Sequence, residues 1–231
     1  MKRSVYVFIA CLVASLPHAP RPAESQAKRL RTVAILVFDG VELLDFAGPA
    51  EVFIVARNGS AYRVFTVAEA KGPVRTMGGL TLQPDYSIDD APQPDILVVP
   101  GGGTANVSRR GVQWVKTTAG KAKIAMSVCM GAFLFARAGL LDGLKATTHH
   151  WGLDSLQSAS PTCKVVRDRR FVDTGKIITT AGVSAGSDGA LQIVERLDGR
   201  KAANWVAEEW MEYRRMGAAK SDRESPKPTK D

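Results

Sequence analysis

Three nearly uninterrupted apolar runs, residues 32–38, 95–99 and 124–128, constrain this chain more than any other feature. A strand with one wet face alternates polar and apolar residues. A run without alternation is buried on both faces, as in a parallel sheet covered by helices on either side. The runs end at Asp39-Gly40, Pro100-Gly101 and Cys129-Met130-Gly131, and each is followed by a helical pattern, over 43–57, 107–119 and 131–139. Pro49 sits early in the first of these or kinks it. Residues 62–67, 164–167, 170–173 and 176–180 read as further strands, and 74–82 as a small hairpin around Met77-Gly78-Gly79. Two closing helices, 185–197 and 201–213, carry apolar residues at spacings of three and four. Alternation of strand and helix predicts an α/β fold: a doubly wound, mostly parallel sheet sandwiched by helices, flavodoxin-like.

The ends read differently. Met1-Lys2-Arg3, an apolar run over 4–16 and then Pro17 have the form of a secretory signal peptide, with cleavage expected after Ala27. The run is shorter than the ~20 residues a spanning helix needs, so a periplasmic or secreted protein is expected, with no membrane attachment beyond the export signal. Residues 216–231, rich in Lys, Ser and Pro, read as a loose tail, and 28–215 as one domain. With 45% hydrophobic and 23% charged residues, the chain can bury an ordinary core, which excludes a collagen, a coiled coil and a wholly disordered protein. The net charge of +8 is scattered along the sequence rather than gathered into a basic and aromatic stripe. It predicts a solvated basic surface, and nucleic acid is not an expected partner.

Four segments can carry chemistry. The run 124–128 leads straight into Cys129 and a small-residue helix start, the form of a nucleophile elbow. There the helix amino end favours a thiolate; the competing reading is an inert buried cysteine. The glycine loop Gly101-Gly102-Gly103 ends another strand at what should be the same sheet edge. Backbone N–H groups of Gly102 or Gly103, with that of Met130, could form an oxyanion hole. The loop lacks the spacings of nucleotide-binding glycine motifs. Asp45, between Leu44 and Phe46, is either a helix cap or a carboxyl group whose pKa is raised for proton transfer. His149 and His150 lie side by side after a short strand beginning at Lys145. Strand neighbours point to opposite faces and no ligand partner is spaced for them, so no metal and no cofactor are expected. Cys163 reads as inert, and whether it pairs with Cys129 stays open.

Taken in order, Leu44-Asp45-Phe46-Ala47-Gly48-Pro49, Val99-Pro100-Gly101-Gly102, Ser127-Val128-Cys129-Met130-Gly131-Ala132, Thr147-Thr148-His149-His150-Trp151 and Ala181-Gly182-Val183-Ser184-Ala185-Gly186 resemble the ThiJ/PfpI superfamily. That superfamily is related to the class I glutamine amidotransferase fold. Within it the strings are most similar to the branch of isonitrile hydratases and the sensor domains of AraC-type regulators. The resemblance implies Cys129 as nucleophile, Asp45 beside it as acid and base, His149 as an accessory group, a small-molecule substrate and a homodimer. It also implies hydration of an isonitrile to an N-substituted formamide. Two alternatives stand beside that activity: a non-catalytic ligand-binding or redox-sensing domain, and glyoxalase or deglycase chemistry. Met130 departs from the pattern. Hydratases of this kind resemble Ser-Val-Cys-Thr-Gly and PfpI-type peptidases have histidine there, so neither hydroxyl nor imidazole stands next to this thiol. The chain ends before the helix-turn-helix pair of the regulators, so a direct role in transcription is not expected.

Overall fold

A computed structural model describes residues 29–214. The expected export signal, 1–27, and the tail, 216–231, lie outside the described residues. In chain order the elements are β1 (Arg31–Leu36), α1 (Leu43–Val55), β2 (Tyr62–Ala68), β3 (Val74–Arg75), β4 (Thr81–Leu82), β5 (Tyr86–Ser87), β6 (Ile96–Val99), α2 (Arg109–Lys121), β7 (Ile124–Ser127), α3 (Ala132–Arg137), β8 (Lys145–Ala146), α4 (Leu153–Ala159), β9 (Lys164–Val165), β10 (Phe171–Asp173), β11 (Ile177–Thr180), α5 (Ala185–Asp198) and α6 (Arg200–Asn204). The last helix continues as a π-helical stretch, Trp205–Trp210.

Seven strands form the main sheet in the order β10-β11-β7-β6-β1-β2-β5, parallel except for β10 against β11. The three apolar runs are its neighbouring central strands β1, β6 and β7, and β6 and β7 are buried along their whole length. Helix α1 packs on α5 and α5 on α6, while α2 packs on α3 and α3 on α4, so the two helix groups cover opposite faces. The chain runs from β1 outward to β2, then returns across β1 to start β6 on its other side. That reversal opens a crevice at the carboxyl ends of β1 and β6, the usual ligand position in open sheets of this type.

Several bounds differ from the sequence expectation for local reasons. The first helix stops at Val55 because Arg57, Asn58 and Gly59 take positive φ. The second starts at Arg109 because the Ser108 side chain accepts from the Arg110 and Gly111 N–H groups. Pro49 lies buried inside α1. Helix α4 and strand β5 carry too short a pattern to stand out in the sequence.

At the amino end of the sheet, Asp95 joins two central strands. Its carboxylate accepts from Thr32 N at 2.9 Å and Thr32 Oγ1 at 3.1 Å, and pairs with Lys123 Nζ at 3.1 Å. Burial alone would raise its pKa, but the Thr32 and Lys123 contacts outweigh burial and hold it at about 2. Its stabilising effect is therefore complete above the ordinary carboxylate range and is lost as pH falls toward 2. Asp95→Ala is expected to lower unfolding free energy at pH 7 by about 2–3 kcal/mol. Urea denaturation should show that gap narrowing as the pH approaches 2.

Candidate active site

Strand β7 delivers Cys129 to the carboxyl edge of the sheet with φ +56°, and a single 3-10 turn, Cys129–Gly131, then leads into α3. A non-glycine residue in this left-handed region costs about 1–2 kcal/mol, so the elbow must be held by its surroundings. Cys129 N donates to Ala181 O at 3.1 Å, and the buried Thr148 hydroxyl donates to Cys129 O at 2.6 Å. Val183 is a second outlier, with φ +49° on a β-branched side chain. Its loop is clamped by Arg170. Arg170 O accepts from Ala181 N at 2.8 Å, and its guanidinium reaches Ser184 Oγ at 3.0 Å and the buried Asp188 Oδ2 at 2.8 Å.

Asp45 lies in the first turn of α1 and is fully buried. It does not cap the helix. Its Oδ2 accepts from Gly101 N at 2.9 Å, and its Oδ1 has no hydrogen-bond partner. The approach needs glycine: a Cβ at position 101 would stand 2.6 Å from Met130 N, 2.8 Å from Asp45 Oδ2 and 3.0 Å from Cys129 Cβ. Removing that one side chain lets three strand ends bring the carboxyl group, the thiol and the Met130 N–H together.

Burial, opposed by the Gly101 N–H, raises the Asp45 pKa; nearby Glu42 adds to the rise, the Cys129 thiol and Val183 N–H partly offset it, and the net value is about 7. Burial and the negative charge of Asp45 push the Cys129 thiol up to about 12, against the Met130 and Val183 N–H groups. The expectation that the helix amino end favours a thiolate is thus overturned. With Cys129 buried, desolvation and a neighbouring carboxylate outweigh the backbone donors of one short turn. The two groups titrate as a unit. Near neutral pH the sulfur is protonated and Asp45 is close to half-protonated; in the singly protonated form the proton rests on sulfur and the charge on Asp45, and passing that proton to Asp45 leaves the net charge of the site unchanged.

The expected oxyanion hole is only partly available. Gly103 N donates to Gly40 O at 2.8 Å, and Gly102 bridges antiparallel to Val41. Gly103 therefore offers no donor to a substrate, which leaves the Met130 N–H and the backbone at Gly102. The two histidines do not face apart, because they enter a 3-10 turn, His150–Gly152, rather than a strand. Their rings stack at 4.2 Å, and the His149 ring packs on Gly182 while its Nδ1 accepts from Trp151 N at 3.3 Å. Burial, then the neighbouring His150, lowers the His149 pKa and favours the neutral ring. Cys163 is free and buried, as is Cys129. Among the described residues, no group of three or more His, Cys, Asp or Glu side chains is placed to hold a metal. Thr148, Val183, Gly101 and Arg170 are the contributors sequence reasoning did not assign. The first three lie inside the strings that carried the resemblance, whereas Arg170 has no local signal.

A mostly parallel sheet with a strained cysteine elbow and a buried carboxyl group at its topological reversal places the chain among the open-sheet α/β proteins. The DJ-1/PfpI family pattern matches residues 31–196, and the chain belongs to that family. It is 32% identical over 180 residues to isonitrile hydratase of Pseudomonas putida, covering 75% of each chain. It is 28% identical over 188 residues to the HTH-type transcriptional regulator GbdR of Pseudomonas aeruginosa, spanning 79% of this chain and 51% of the regulator. A crystal structure of a ThiJ/PfpI family protein from Pseudomonas syringae superimposes with a TM-score of 0.72 at 28% identity, covering 91% of this chain and 85% of that one.

Two outcomes follow from the shared proton. Asp45→Asn removes the charge that opposes thiol ionisation, so alkylation of Cys129 by iodoacetamide should begin at lower pH than in the parent protein, as read by mass spectrometry. Because the folded pKa of Asp45 is raised, its favourable contribution is complete below about pH 4 and is lost as pH rises through 7. Asp45→Asn should therefore gain stability over the parent between those values, by at most about 4 kcal/mol, in urea titrations at pH 4.5 and 8.

Proposed function

We propose that this protein is a cysteine-dependent hydratase of small molecules with a polarised terminal carbon, of the isonitrile-to-formamide type. The observation that carries the reading is the fully buried Asp45 carboxyl group, held by the Gly101 N–H beside Cys129 on its left-handed elbow. The similarity to an isonitrile hydratase over 75% of both chains supports it.

In the proposed sequence the proton passes to Asp45, and the Cys129 thiolate attacks the terminal isonitrile carbon. A carbon–sulfur bond forms while Asp45 returns its proton to the same carbon, giving a thioimidate. Asp45, now a carboxylate, takes a proton from water as the hydroxyl adds to that carbon, then gives it to nitrogen. It next accepts the hydroxyl proton as the carbon–sulfur bond breaks, releasing an N-substituted formamide and restoring the thiolate and carboxylic acid. Each step uses one acid-base group in two protonation states, which suits a carboxyl group with a pKa of about 7. The Met130 N–H acts on the sulfur, so it stabilises charge there, and Met130 supplies no proton. A buried thiol with a raised pKa weighs against the redox-sensor alternative, since oxidants react with exposed thiolates.

The proposal includes export directed by residues 1–27 and pairing with a second copy. Exposed Leu43 and Leu44 of α1 and exposed Met77 and Leu80 of the neighbouring hairpin are suited to the pairing.

Purified protein given cyclohexyl isonitrile should release the formamide. Cys129→Ala should abolish turnover, and Asp45→Asn should lower kcat by about 10²–10⁴-fold. Unchanged turnover in Cys129→Ala, or none in the parent protein, would overturn the reading.

A further inference from the structure

Trp151 is 83% exposed, on a 3-10 turn, His150–Gly152, whose Gly152 is buried. An indole left in water is unusual for a residue that ordinarily buries most of its surface. The turn beneath it is rooted in the elbow. Thr148 donates to the carbonyl of Cys129, and Gly152 N donates to His149 O at 2.8 Å. Gly152 lies so close to the residues after the cysteine that a Cβ there would stand 3.0 Å from Met130 Sδ and 3.1 Å from the Phe133 ring. The Trp151 ring is held edge-on to His149 at 4.8 Å and to His150 at 5.3 Å. An aromatic face is thus fixed in orientation beside the thiol-bearing turn and left without apolar cover.

Cys129 is 6% exposed and its neighbour Asp45 is fully buried. Only a slender head can reach the sulfur, so any larger part of a substrate must stay outside the elbow. We infer that Trp151 is the specificity-determining platform for that outer part, stacking on a flat or bulky apolar substituent while the linear electrophilic end enters toward Cys129. The favoured substrates are then aryl or arylmethyl compounds carrying a thin terminal electrophile. The inference rests on the proposed chemistry at Cys129 for its kinetic form only.

The test compares benzyl isonitrile with methyl isonitrile in the parent protein, Trp151→Ala and Trp151→Phe. Trp151→Ala should lower kcat/KM for the benzyl compound at least tenfold, chiefly through KM, and change it less than twofold for the methyl compound; Trp151→Phe should retain most of the benzyl activity. Equal loss on both substrates, or no loss on either, overturns the inference. So does a loss that follows conversion of a dimer to a monomer in gel filtration, which would give Trp151 to a second copy. If the parent protein hydrates neither isonitrile, the proposed reaction fails and the platform is read by binding instead. Quenching of intrinsic fluorescence by N-benzylformamide that is present in the parent and missing in Trp151→Phe supports it; identical quenching in the two overturns it.

Discussion

One backbone hydrogen bond, from Gly101 N to Asp45 Oδ2, holds the chemistry of this chain together. It ties the end of β6 to the first turn of α1, and β7 brings Cys129 against the same point. A fully buried carboxyl group with few donors is poorly solvated, and that poverty raises its pKa. Were the carboxylate richly hydrogen-bonded, it would ionise at its ordinary value and never hold a proton at neutral pH. The Gly101 N–H orients the group, and the donors around it do not outweigh burial.

The surrounding architecture stores and contains strain. Both left-handed outliers at the site, Cys129 and Val183, are on turns that follow neighbouring strands β7 and β11, and they are joined by the bond from Cys129 N to Ala181 O. Neither conformation is favourable alone. Thr148 fixes the carbonyl of the first, and the Arg170–Asp188 pair holds the loop of the second from the residue that leads into the antiparallel edge strand β10. That edge strand therefore serves the site although it contributes no reacting group. The hydroxyl of Tyr213 also donates to Asp188 Oδ2 at 3.1 Å, which ties the end of the described chain to the same clamp.

Much of this was legible in the sequence because burial on both faces removes alternation. The runs that became β1, β6 and β7 identify the central strands, and the turn residues after them locate the functional edge. Asp45, flanked by Leu44 and Phe46, announced a carboxyl group in apolar company. What could not be read depends on contacts between distant segments. That Gly103 bonds to Gly40 follows from how two loops meet, and the side-by-side histidine rings follow from a turn where a strand was expected. The ionisation of Cys129 was misjudged for the same reason: the helix amino end is a local feature, whereas the desolvation and the Asp45 charge that outweigh it come from the fold.

Met130 bears on how such a site can work without a second side-chain donor beside the thiol. A hydroxyl or imidazole at that position could share the handling of protons; a thioether cannot. Every proton movement at the sulfur then falls to Asp45, and this is feasible only if the carboxyl group changes protonation state at little cost near neutral pH. Burial supplies that property, and the same burial keeps the resting thiol protonated and shielded. Under the proposed reaction, the thiol would become reactive through a proton transfer inside the site, not through a permanently ionised sulfur at the surface.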